Sequence, residues 1–320
     1  NPHICGKNRD KGMQVCKLHC LSAYLEEEMK KILKRVTGIF LCAAMAVGIF
    51  GTTRAFAEGA DASADNTQTQ EAAQWPTGPE VQAGSAIIMD AATGTVLYEK
   101  DADTPRYPAS ITKIMTTLLA LENCSLDEMV HFGATAVYEN EGGTSHIARD
   151  LDEEMTLEQC LYAIMLESAN ECSYAVAEHV GGGDYQKFID MMNAKAAELG
   201  CTNTHFNNCN GLPDPNHVVS ARDMALISRE AIKNTMFRKI VGTVRYEIPP
   251  TNKHADPTPL NNHHQMISAY KGRQNLYDYC IGGKTGWTSD AGNTLVTFAE
   301  KDGMTLICVV MNCSAGGQYT

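Results

Sequence analysis

Strand-forming runs lie at both ends of the foldable part of this chain and helical periods fill the middle, an order that leaves few architectures open. Ser85 to Asp90 and Thr95 to Lys100 read as a β-hairpin around Ala-Ala-Thr-Gly94. Ile111 to Leu121 is apolar on nearly all sides, the mark of an interior helix. Thr156 with Gln159 forms a capping box, and helical patterns follow over Glu171 to Val180, Tyr185 to Leu199 and Ser220 to Ile232, with Ser220 as an N-cap. Cys280 to Thr285, Asn293 to Glu300 and Met304 to Asn312 return to strands separated by Gly- and Asp-containing turns, the last being Lys301-Asp-Gly303. The expectation is an α/β chain of the α+β kind. Its mainly antiparallel sheet takes its outer strands from the two ends, and helices cover it, with a helix-rich central subdomain.

The ends of the chain bound where it works. Met29 opens a basic stretch (Lys30, Lys31, Lys34, Arg35), an apolar run follows from Ile39 to Phe50, and Ala55-Phe56-Ala57 supplies a small-residue cleavage site. That run is shorter than the roughly 20 residues that span a bilayer, so residues 29–57 are expected to be a cleaved export signal. Residues 1–28 lie upstream of it and are expected not to be native. Residues 58–80, rich in Ala, Gly, Gln, Thr and Asp, are expected to be a flexible tether, and residues 81–320 the catalytic domain. Residues 1–57 carry nine of the 26 Lys/Arg and four of the 38 Asp/Glu, so the remainder sets 17 basic residues against 34 acidic ones. Such a surface excludes nucleic acid and anionic membrane as partners. Eight of the 12 cysteines remain after residue 57. Cys160 and Cys172 fall in helical patterns as packed thiols, and Cys201 and Cys209 are the candidate disulfide pair. No His/Cys spacing reads as a zinc site, and His263-His264 reads as a solvated loop pair.

Three short motifs carry the chemistry. Ser110-Ile-Thr-Lys113 puts a hydroxyl at the start of the buried helix and an amine one turn later on the same face. A serine hydroxyl becomes a nucleophile only when a base removes its proton, and a desolvated lysine can do so. Alone, the motif reads more readily as a capping serine followed by a surface lysine. Roughly one chance match is expected in a chain of this length, and Ser268-Ala-Tyr-Lys271 is a second one. Lys284-Thr285-Gly286 ends a strand, where a cation beside a hydroxyl suits a substrate carboxylate and the glycines admit a backbone. Ser168-Ala-Asn170 falls between two helices and gains weight from its place between the other two motifs. Together, and in this order, they form a set known from serine β-lactamases and penicillin-binding proteins.

With these stand Tyr107 to Met115, His205-Phe206, Asn210 to Asn216 and Gly283 to Gly292. From about Val81 to its end the chain resembles the low-molecular-mass penicillin-binding proteins that are D-alanyl-D-alanine carboxypeptidases. The resemblance implies a β-lactamase/transpeptidase-like fold and removal of the terminal D-alanine from peptidoglycan stem peptides through an acyl-enzyme. It makes Ser110 the nucleophile, Lys113 its base, Ser168 a proton relay, Asn170 a partner of the substrate amide, Lys284 a source of positive potential and Thr285 the carboxylate site. Gly286 and Trp287 complete the substrate side, the oxyanion hole being the amides of Ser110 and Trp287. It implies no metal or organic cofactor, β-lactams as covalent inhibitors and a location on the cell-wall side of the cytoplasmic membrane. Relatives continue into a final helix, a small β domain and an amphipathic anchor, so a C-terminally incomplete domain is expected, with peripheral membrane association through the missing part. Some relatives also place an arginine after the last strand, whereas Cys313 to Thr320 holds no basic residue.

Other readings differ in single features. A β-lactamase would need a Glu-x-x-x-Asn element placed to position a deacylating water, and no element in that role is read downstream of Ser168-Ala-Asn170. An endopeptidase cutting peptide crosslinks could use every one of these residues. A silent wall-binding scaffold would be marked by a lost motif residue, and all six are present.

Overall fold

The computed structural model describes residues 78–139, 143–269 and 276–314. The expected upstream segment (1–28), export signal (29–57) and most of the tether (58–80) lie outside the described residues.

A five-stranded antiparallel sheet organises the fold. Strand β1 (Ala83–Asp90) turns into β2 (Val96–Lys100), and β7 (Cys280–Thr288), β8 (Gly292–Lys301) and β9 (Met304–Cys313) form a meander, giving the order β2-β1-β9-β8-β7. The edges β2 and β7 come one from each end segment, as expected. The two segments join inside the sheet, where β1 pairs β9 in the register Ile87↔Val309. Side chains alternate across the pleat. Ile87, Met89, Val296, Phe298, Ile307 and Val309 enter the main core, while Ala86, Leu295 and Val310 belong to a smaller cluster.

Helix α1 (Lys113–Asn123) is buried from Lys113 through Ala120 and is the central element of that core. A 3-10 turn, Ala109–Thr112, leads into it, so the helix starts later than the apolar period suggests. The capping box is present: Thr156 Oγ1 accepts from the Gln159 amide and Gln159 Oε1 accepts from the Thr156 amide, opening α3 (Leu157–Tyr162). Helices α4 (Asn170–Gly181) and α5 (Tyr185–Glu198) follow, then α6 (Ala221–Ala231), whose Ser220 cap accepts from the Asp223 amide. The short elements have no counterpart in the sequence reading: α2 (Ala134–Tyr138), α7 (Thr235–Gly242) and the hairpins of β3 (Met129–His131) with β4 (Glu154–Thr156) and β5 (Arg245–Ile248) with β6 (Thr258–Asn261).

Two expectations are corrected. Cys201 and Cys209 are free thiols. The Cys201 thiol donates to the Asp223 carbonyl, and Cys209 accepts from the Tyr185 hydroxyl. His263-His264 is not a solvated pair: His263, half-buried, meets Glu167 at 2.9 Å, and His264 is buried against Thr297. Among the described residues no helix is long and apolar enough to cross a membrane.

Candidate active site

Ser110 sits in the 3-10 turn and Lys113 begins α1, an i, i+3 spacing that brings the amine under the hydroxyl. Lys113 is wholly buried, not a surface lysine. Its Nζ donates to Ser110 Oγ at 3.2 Å, to Asn170 Oδ1 at 2.8 Å and to the Asn210 carbonyl at 2.6 Å, which engages all three donors. Burial pulls its pKa from 10.5 to about 7, so near neutrality a large fraction of the amine is an unprotonated base.

Ser168 reaches this cluster through unusual backbone. The chain from Ala163 to Glu167 is a π-helical turn, and Ser168 closes it in the left-handed region at φ 62. A non-glycine residue there is strained, and such strain persists only where the surroundings enforce it. Lys284, buried on β7, holds Ser168 by donating to its Oγ at 3.1 Å, and also donates to the Thr285 carbonyl at 2.8 Å. Burial first, and the nearby Lys113 second, push the Lys284 amine well below the usual lysine range. Asn170 opens α4 two residues after Ser168, its backbone amide held by the Ser145 carbonyl at 2.9 Å.

Two glycines clamp the Ser110 turn. A Cβ on Gly286 would lie 2.9 Å from the Ser110 amide nitrogen, and a Cβ on Gly211 would lie 1.9 Å from the Ala109 carbonyl oxygen. Strand β7 and the loop before α6 therefore both pack against the turn. Thr285 is half-buried on β7, and Trp287 next to Gly286 is 67% exposed, as suits a residue at the rim. All eight candidate residues thus lie on the 3-10 turn with α1, the π turn with α4, or β7. Lys113, Asn170 and Ser110 form one hydrogen-bonded group, and Lys284 with Ser168 forms another. The competing Ser268 is buried in a turn beyond His264, and Lys271 lies outside the described residues.

Sequence reasoning missed the support beneath these groups. Asn208 Oδ1 accepts from the Gly211 amide at 2.7 Å and its Nδ2 donates to the Leu212 carbonyl, folding the loop that presents the Asn210 carbonyl to Lys113. His217 pins that loop: Nδ1 accepts from the Asn207 amide, and Nε2 reaches Thr112 Oγ1 at 2.9 Å. Burial lowers His217 to about 3, leaving it neutral. Under β7, His264 meets Thr297 at 2.9 Å and touches the backbone at Gly283; burial first, then Lys284, lowers it to about 4. A signal existed for the loop, since Asn-Asn-Cys-Asn-Gly is turn-forming, but nothing local ties it to Lys113.

Residues 67–315 match the family model described as D-alanyl-D-alanine carboxypeptidase. The chain is 35% identical over 278 residues to the D-alanyl-D-alanine carboxypeptidase DacF of Bacillus subtilis (strain 168), covering 86% of this chain and 66% of that protein. It is 33% identical over 248 residues to the D-alanyl-D-alanine carboxypeptidase of Streptomyces sp. (strain K15), covering 73% of this chain and 82% of the other. The crystal structure of the Streptomyces K15 DD-transpeptidase is similar at a TM-score of 0.68 and 31% identity, over 76% of this chain and 95% of that one.

Proposed function

The chain belongs to the D-alanyl-D-alanine carboxypeptidase family, and we propose that it is an exported serine DD-peptidase removing the terminal D-alanine from peptidoglycan stem peptides. The observation that best supports this reading is the buried Lys113 amine, which donates to Ser110 Oγ at 3.2 Å while lowered to about 7.

In the proposed reaction Lys113 Nζ takes the Ser110 proton as Oγ bonds to the carbonyl carbon of the penultimate D-alanine. The amides of Ser110 and Trp287 receive the oxyanion, a donor of this kind being worth on the order of 3 kcal/mol in the transition state. Thr285, beside Lys284, binds the terminal carboxylate. With Asn170 Oδ1 engaged by Lys113, its Nδ2 is the end that meets the substrate amide. Ser168, held by Lys284, passes its proton to the departing D-alanine nitrogen and is reprotonated from Lys113, which leaves that amine neutral again. Water then attacks the ester carbonyl, giving its proton to Lys113 and returning one to Ser110. None of these steps calls for a metal or organic cofactor, and a β-lactam would arrest the cycle as a stable ester on Ser110.

The likeness to a DD-transpeptidase favours one second reading, transfer of the acyl group to an amine in place of water. Intact-protein mass after β-lactam treatment, with D-alanine release from diacetyl-Lys-D-Ala-D-Ala, tests both. A Ser110 adduct and free D-alanine with the shortened dipeptide are expected. A peptide extended by added glycylglycine would mark the transferase. Normal turnover by Ser110→Ala would overturn both.

A further inference from the structure

The C-terminal ends of α1 and α4 converge on three side chains that the site around Ser110 does not use. Cys124 is the residue that ends α1, His179 lies in the last turn of α4, and Glu128 comes from the turn leading to β3. One ligand atom from each lies within 4.8 Å of the other two. His179 Nε2 and Glu128 Oε2 are 2.9 Å apart, and Glu128 Oε1 accepts from the Ser125 amide, which fixes the carboxylate. All three residues are half-buried, so the cluster is sheltered but reachable.

We propose that Cys124, Glu128 and His179 form a binding site for a thiophilic divalent cation of the Zn2+ class. The donor set decides the class: a thiolate, an imidazole and a carboxylate suit Zn2+ and disfavour Mg2+ or Ca2+, which take oxygen ligands. Distances fit as well. Tetrahedral bonds of about 2.0–2.3 Å set ligand atoms roughly 3.3–3.6 Å apart, so the His179–Glu128 contact opens by only a few tenths of an ångström to admit the ion. Binding replaces the thiol proton of Cys124 and the hydrogen bond between His179 and Glu128 with metal bonds. The field is favourable, because the cluster lies at the C-terminal ends of two helices, where the backbone dipoles favour a cation. Asp150, Glu153 and His254 form a second triad, but Arg149 Nη1 already sits 2.8 Å from Glu153 Oε1, and a guanidinium there takes the role of a cation. Sequence spacing hides the first site, since His179 lies 51 residues beyond Glu128.

An ion here would staple the far end of the helix that begins at Lys113 to the helix that begins at Asn170. The test is Co2+ titration of chelator-treated full-length protein whose Cys5, Cys16, Cys20 and Cys42 are serine. One equivalent should produce thiolate-to-cobalt charge-transfer absorption in the near ultraviolet and be displaced by one equivalent of Zn2+. Cys124→Ser should remove the band and His179→Gln should weaken binding at least tenfold, while Cys280→Ser leaves both unchanged. Zn2+ should raise the thermal midpoint of the parent and not of Cys124→Ser. No charge-transfer band in the folded parent, or a band that survives Cys124→Ser, overturns the proposal.

Discussion

A lysine with three acceptors around its nitrogen and no solvent exposure is a different reagent from a surface lysine, and Lys113 has both properties. Desolvation penalises the ammonium, nearby Cys209 and Glu171 favour it more weakly, and the balance leaves the amine near 7. Only the neutral form can take the Ser110 proton. The acylation rate by a β-lactam should therefore rise about tenfold per pH unit below about 7 and level off above it. A pH–rate profile measured by stopped flow that is flat across neutrality would contradict this. Lys113→Arg keeps the charge but cannot deprotonate, and should slow acylation by about 10²–10⁴-fold. This residue pair was legible from Ser-x-x-Lys beside an apolar helix. The Asn210 carbonyl was not, because Asn210 lies 97 residues away and reaches Lys113 only through a folded loop.

That loop shows how an element can matter through its backbone. Asn207 to Leu212 is fixed by the Asn208 side chain and by His217, and Gly211 sits in it at φ 90 against Ala109. Gly211→Ala drives a methyl into the carbonyl next to Ser110. It should cut acylation by about 100-fold, since a shift of about 1 Å at a reacting group costs that much. Gly183→Ala separates this effect from backbone strain: Gly183 has φ 91 with nothing within 4 Å, so the variant should lose about 1 kcal/mol of stability and keep its acylation rate. Thermal melts and β-lactam capture on the two variants check both statements. Elements with local signals were legible: the Thr156 capping box, the Ser220 cap and the Asp302-Gly303 turn, with φ 51 and 80, all appear where sequence put them. The three-residue strands β3 and β4 and the π turn before Ser168 carry no period long enough to detect, and tertiary packing decides them. His264 was misread for the same reason. A polar doublet looks solvated until Gly283 and Thr297 close over it.

Across the whole molecule, neutral buried histidines set an acid limit. His217 and His264 are lowered to about 3 and about 4, while their unfolded values lie near 6.5. The unfolded chain therefore binds more protons between those values. The stability these groups contribute is complete above about pH 6.5 and is lost as pH falls toward 4 and then 3, at about 1.4 kcal/mol per pH unit for each histidine. Thermal midpoints should fall steeply below pH 6, and His264→Gln should make the slope shallower. An unchanged slope in that variant would remove His264 from the account. The order β2-β1-β9-β8-β7 has a further consequence, for the moment at which chemistry begins. Strand β7 reaches the N-terminal hairpin only through β8 and β9, and β9 lies beside β1 although more than 200 residues separate them. A growing chain that has reached Trp287 has therefore made every motif residue yet lacks β8 and β9, through which β7 joins the N-terminal hairpin. Nascent intermediates should be inert until β9 pairs with β1 and completes the sheet.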